Sequence, residues 1–255
     1  MSKKAFFFDI DETLLSWVTG TVPESAIYAL EELNKKGHVT FINSGRMFST
    51  VHDMIKKLPV NGFICGCGSQ IIYKGETVLL KLLSDERRNE IREKYNINKD
   101  EFVVLGCGQV QTRKGVKDFV EVAKLNPDKT FVWAGGFSFG KITDGYKELK
   151  TIMDNPPSNV KFIGIIPRTE MNDIFNMSDV LFMPSFAELF PMSILEAVNS
   201  HKPVLLRDLD LYEDILFHKY EKGSTVEEFD TLVKKLADDK DYYQHASENS
   251  KEISL

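Results

Sequence analysis

An α/β fold in two Rossmann-like, three-layer units with mainly parallel sheets is predicted by three observations. Short apolar runs such as AFFFD and FVVLGCG end in acids or glycines, as buried parallel strands do when they deliver loops at their carboxyl ends. Helical spacings separate these runs, which is the alternation that builds parallel sheets. The 255 residues suffice for two modest cores.

Composition sets the outer bounds. Hydrophobic content of 42% with 27% charged residues belongs to a globular domain, and a net charge of -6 argues against a general nucleic-acid binder. No apolar run approaches the roughly 18 residues of a membrane span. Residues 1–4 lead directly into a strand with no signal-like segment, so a cytoplasmic protein is expected, with contact at a membrane surface left open. Cys65, Cys67 and Cys107 lie in or beside apolar strands without metal-ligand spacing and read as reduced thiols. The five histidines are scattered and receive no role.

The first strand, Ala5 to Asp9, is expected to be buried and to present Asp9 and Asp11 on one side, with Thr13 in the following loop. Two carboxylates and a hydroxyl at a strand end could hold Mg2+ and offer one oxygen as a nucleophile; an Asp-rich turn is the plainer alternative. Val22 to Gly37 reads as a helix, opened by Pro23 and closed by two lysines and Gly37. The strand His38 to Asn43 then runs into Ser44-Gly45-Arg46, where the Ser44 hydroxyl could bind a phosphoryl oxygen, and a helix is expected after it. Strand Gly62 to Cys65 precedes a hairpin, QIIYKGETVLL, turning at Lys74-Gly75.

FDIDETLL matches the D-x-D-x-T motif, and through it the first 85 residues or so resemble the start of haloacid dehalogenase-type phosphatases of the sugar-phosphatase branch. The resemblance implies Asp9 as nucleophile, Asp11 as general acid/base, both as Mg2+ ligands, and Ser44 as the phosphate-binding hydroxyl. Glu12 stands where the family often has glycine. The cap, the phosphate-neutralising lysine and the second acid pair of that family do not follow Leu83 in register.

Residues 86–95 form a polar junction helix within Ser84 to Tyr95, where Ser84 and Arg87 lack the residue types of a capping box. A junction inside one helix suggests a recombined or designed chimera, and a natural gene fusion would look the same. On this reading residues 1–85 are a partial phosphatase-like lobe and residues 96–255 a second lobe.

In the second lobe, strand Phe102 to Gly108 enters the loop GQVQTRKG and the helix Val116 to Lys124; backbone N–H groups and a cation there could cradle a diphosphate. Strands follow at Thr130 to Ala134 and Val160 to Ile165. The stretch SFAELFPMSILEAVNSHKPVLLRD then gives a strand end, a helix over Pro191 to Ser200, and a further strand. Glu188 and Glu196, eight positions apart, can face one cleft beside that helix N-terminus, which favours an anion. Alone, the two glutamates would read as a solvated face. A helix near Leu211 to Phe217, a capped helix from Ser224 or Thr225, and a polar terminal helix complete the chain.

ELFPMSILEA lies close to the E-x-F-G-x-x-x-x-E-A setting of retaining GT-B glycosyltransferases, and about 160 residues resemble their donor-binding lobe. GQVQTRKGVKDF looks like bacterial enzymes that glucosylate diacylglycerol. The resemblance implies a UDP-sugar donor, UDP-glucose first among them, and no metal cofactor. It places Lys114 on the donor phosphates with the helix near Pro191, Met192 and Ser193, Glu196 on the ribose, Glu188 on the sugar, and the loop Ile166 to Met171 at the base. Gln109 stands where many relatives have arginine, and Arg113 could replace that contact. Three readings stay open: a UDP-sugar-binding protein of glycosyltransferase type whose first lobe does not resemble an acceptor lobe, a Mg2+-dependent phosphatase, and a non-catalytic chimera.

Overall fold

The computed structural model describes every residue except 1, 17, 69, 81, 189–191 and 255, with the side chains of 67, 79, 80 and 214 also left out. Two compact units divide the chain, one formed by residues up to 81 with the last two residues, the other by Leu82–Ile253.

The first unit contains β1 (Ala5–Phe8), α1 (Glu24–Lys35), β2 (Val39–Asn43), the single-turn α2 (Asp53–Lys56), β3 (Gly62–Cys65), β4 (Gln70–Tyr73) and β5 (Glu76–Leu80). Its sheet runs β1-β2-β3-β4-β5, parallel through β3 and antiparallel beyond. The hairpin turns where expected. Lys74 and Gly75 have φ of 53° and 83°, and two positive values in a two-residue loop match the twist of the flanking strands.

Leu30, Ile42, Ile55, Phe63 and Ile72 form the core of this unit on one face of the sheet. Because side chains alternate along a strand, Phe41 points to the other face. There its ring stacks between Phe7 at 5.6 Å and Tyr73 at 5.8 Å. The expectation of a buried first strand is corrected: β1 is an edge strand with one neighbour, and Phe7 is 56% exposed. The helix expected after Ser44 shrinks to a 3-10 turn and α2.

The second unit comprises α3 (Asp85–Lys94), β6 (Val103–Cys107), α4 (Val116–Leu125), β7 (Thr130–Ala134), α5 (Tyr146–Asp154), β8 (Val160–Gly164), α6 (Met171–Met177), β9 (Val180–Met183), α7 (Met192–Asn199), β10 (Val204–Arg207), α8 (Leu211–Leu216), β11 (Glu221–Gly223), α9 (Val226–Asp238) and α10 (Lys240–Ser254). All pairings in the sheet are parallel, in the order β11-β10-β9-β6-β7-β8. The chain therefore winds outward from β6 in one direction and from β9 in the other. The loops leaving these two strands flank a crevice at the point of reversal, where ligands bind in open α/β sheets.

Aromatic packing fixes α4 on the sheet. Phe119 meets Phe131 and Trp133 edge-on at 5.3 and 5.0 Å and stacks on Phe182 at 5.6 Å. Gly106 makes room for the indole, since a Cβ there would lie 2.3 Å from the Trp133 ring. Thr225 and Glu228 form a reciprocal capping box at the start of α9.

Helix α3 is tied to this unit by charge. Ser84 caps it alone, its Oγ accepting from the Arg87 N–H at 3.3 Å. Arg92, 2% exposed, donates to the carbonyls of Met177, Lys99 and Glu101 and to Asp179. Arg88 also pairs with Asp179. Lys202 lies within this cluster: burial, reinforced by Arg88 and Arg92 and partly offset by Asp179, lowers its pKa to about 8. Holding its charge thus costs stability below about pH 8, and the cost fades as pH rises towards the ordinary lysine value of about 10.4. Lys202→Met is expected to raise the melting temperature by about 2–4 °C at pH 7 and by less at pH 10, read by circular dichroism.

Candidate functional site

At the switch point the loop after β6 comes close to the loop after β9. Gly115, at φ 69°, makes this possible: a Cβ there would lie 2.2 Å from the Pro184 carbonyl oxygen. The approach is held by the Phe186 N–H donating to the Arg113 carbonyl at 2.8 Å. Lys114, at the end of a 3-10 turn spanning Thr112–Lys114, is thereby delivered onto Glu188, with Nζ 2.6 and 2.8 Å from the two carboxylate oxygens. The Glu188 side chain is 5% exposed. Arg113 stands 3.6 Å from the same carboxylate and donates to the Ala187 carbonyl.

Glu196, on the second turn of α7, pairs with Arg168 at 2.6 Å. Arg168 comes from the loop after β8, within the stretch expected to face a nucleobase. Lys114, Glu196 and Arg168 all act electrostatically on Cys107 at the end of β6, whose thiol burial pushes up to about 12. Burial thus favours the neutral thiol over the thiolate. Gln109 leaves β6 immediately after Gly108 and is half-buried. Met192 and Ser193 occupy the first turn of α7. Pro191 lies outside the described residues.

Sequence reasoning missed two residues here. Arg168 was signalled only by its loop. Arg207, at the end of β10, donates to the carbonyls of Pro184 at 3.0 Å and Ser224 at 2.6 Å, pairs with Asp118, and lies 4.0 Å from the Phe186 ring centroid. It supports the backbone from which Glu188 projects. A lone arginine ending an apolar run gives a weak sequence signal.

The acids of the first unit meet a different environment. Asp9 is exposed at the end of β1. Arg46 forks onto the Asp11 carboxylate, Nε to Oδ2 at 3.1 Å and Nη2 to Oδ1 at 2.8 Å. Ser44, 6% exposed, accepts from the Arg46 N–H at 3.2 Å. Among the described residues no three His, Cys, Asp or Glu gather as metal ligands. A Mg2+ ion at Asp9 and Asp11 would compete with the Arg46 guanidinium for the Asp11 carboxylate. Glu12 has φ 60°, a conformation that glycine takes at no cost and a side chain takes at about 1 kcal/mol.

A family model described as glycosyl transferases group 1 matches residues 87–253. Alpha-galactosylglucosyldiacylglycerol synthase of Streptococcus pneumoniae is 42% identical over 172 residues, covering 68% of this chain and 46% of the relative. The chain therefore spans about half the length of that relative. Putative phosphatase YkrA of Bacillus subtilis is 32% identical over 78 residues, 31% of this chain and 30% of its own. The crystal structure of Anabaena HepE in complex with UDP and glucose resembles the fold with a TM-score of 0.62 at 18% identity, covering 97% of this chain and 66% of that one.

Proposed function

We propose, on the premise that the chain belongs to the glycosyl transferases group 1 family through residues 87–253, that its second unit binds a UDP-sugar, with UDP-glucose as the donor. The observation that carries this reading is the convergence of Lys114 on Glu188 at 2.6 Å and of Arg168 on Glu196 at 2.6 Å at the switch point of a parallel sheet. Each charge has a partner to exchange. The donor diphosphate takes Lys114 and lies at the N-terminal end of α7, where the helix dipole favours an anion. Glu188, released, accepts from the sugar hydroxyls, and Glu196 accepts from the ribose. Gln109 contributes a neutral hydrogen bond to the phosphates, and Arg113 stays with Glu188.

Donor binding by the second unit is the function proposed. Transfer with retained configuration needs an acceptor site, and the first unit offers no counterpart of one in its sequence. Residues 1–81 we read as a phosphatase-derived piece retained for its strands, in a chimera of two α/β parts. The Arg46 fork on Asp11 supports this, since it occupies the carboxylate that a phosphatase would need free.

Calorimetric titration of the full chain with UDP and with UDP-glucose tests the proposal. Saturable binding is expected, weakened about tenfold or more by Lys114→Met, which removes the charge that compensates the diphosphate. A folded chain that takes up neither ligand would overturn it.

A further inference from the structure

A second pocket, of about 480 Å3, runs along β3 and β4 in the first unit, lined among others by Phe48, Lys56, Phe63, Gln70, Ile72 and Lys74. That volume lies within the range of small-molecule sites. Gln70 is 2% exposed, and among the described residues its side-chain Oε1 accepts no hydrogen bond. Buried carbonyl oxygens are almost always satisfied, so this one calls for a donor inside the pocket. The walls are apolar and aromatic: Phe48 meets Phe63 edge-on at 5.1 Å, beside Ile72. Lys56 brings a cation and the pocket lining holds no carboxylate among the described residues, while the Lys74 ammonium lies 5.4 Å from the Tyr73 ring centroid. The Lys56 ammonium lies 5.0 Å from the Phe48 ring centroid and donates to the Ser49 carbonyl at 3.3 Å. In a chain of net charge -6, an acid-free pocket with a lysine in its wall selects anions.

We propose that this pocket binds a small aromatic carboxylate bearing an amino or hydroxyl group on the ring. The ring lies against Phe48, Phe63 and Ile72, the carboxylate meets Lys56, and the N–H or O–H donor satisfies Gln70 Oε1. The pocket is separate from Asp9, Asp11 and Ser44, which lie at the carboxyl ends of β1 and β2 and do not line it.

The probe is 2-aminobenzoate, followed by its own fluorescence during titration of the full chain, with benzoate as the analogue lacking the donor. Saturable one-to-one binding of 2-aminobenzoate is expected, at least about fivefold tighter than benzoate. Gln70→Leu should erase that difference, and Lys56→Met should weaken both ligands about fivefold or more. Glu196→Ala, in the other unit, should leave both unchanged. A pocket that holds water only would show no saturation in the folded wild-type chain, and that result would overturn the proposal, as would equal affinity for the two benzoates in the wild type.

Discussion

Asp179→Ala is expected to destabilise the protein by about 3–5 kcal/mol, the loss typical of leaving a buried charge without its partner. Asp179 Oδ2 accepts from Arg92 Nη2 and from the Val103 N–H, both at 2.7 Å, while Oδ1 pairs with Arg88. Without the carboxylate, Arg92 remains buried with carbonyl acceptors and no compensating charge, and the Val103 N–H at the start of the central strand loses its acceptor. Asp179→Asn, which keeps an acceptor but no charge, should fall between alanine and wild type. Urea unfolding followed by circular dichroism reads both. A loss below about 1 kcal/mol for alanine would mean that the cluster is solvated and contributes no more than a surface ion pair.

Gly135→Ala is expected to cost about 3 kcal/mol or more and to weaken UDP binding beyond tenfold. Gly135 follows β7 at φ 149°, and a Cβ there would lie 1.8 Å from the Gly108 carbonyl oxygen. That oxygen accepts from Trp133 Nε1 at 3.0 Å, and the Gly108 N–H donates to the Ala134 carbonyl at 2.9 Å. Relieving the clash therefore moves the backbone that leads to Lys114. Gly20→Ala is the control. Gly20 also has positive φ, 65°, but no atom within 4 Å of the added carbon, so only the conformational cost of about 1 kcal/mol is expected. Thermal melts with UDP titration of the same samples separate the two effects, and equal losses in both variants would disprove the steric argument.

Most of the fold was legible because the physics that forms these elements is local. Thr130–Ala134 and Gly62–Cys65 are apolar runs bounded by turn residues, and the structure places both strands at the expected bounds. Thr225 with Glu228 announced a helix start by side-chain chemistry alone. The misses were of two kinds. β11 has three residues, two of them charged, and becomes a strand only because β10 offers an edge to pair with. β1 has an interior composition but an edge position, since the number of neighbours a strand finds is a property of the whole sheet. At the candidate site, the spacing of Glu188 and Glu196 pointed to two acids in one place. Which cations would hold them was hidden, because Lys114 is 74 residues from Glu188 in sequence and the contact depends on the close approach at Gly115.

The Lys114–Glu188 and Arg168–Glu196 pairs also bear on how the site would respond to salt. Three cations, Lys114, Arg113 and Arg168, face two carboxylates and leave the crevice with a small positive excess, and an incoming diphosphate enters an exchange: one internal ion pair is given up for one with the ligand. Dissolved ions weaken both sides of such an exchange, and most where the partners are exposed. Affinity is then set by the difference between two short-range pairings, and it should vary little with ionic strength for a ligand so highly charged.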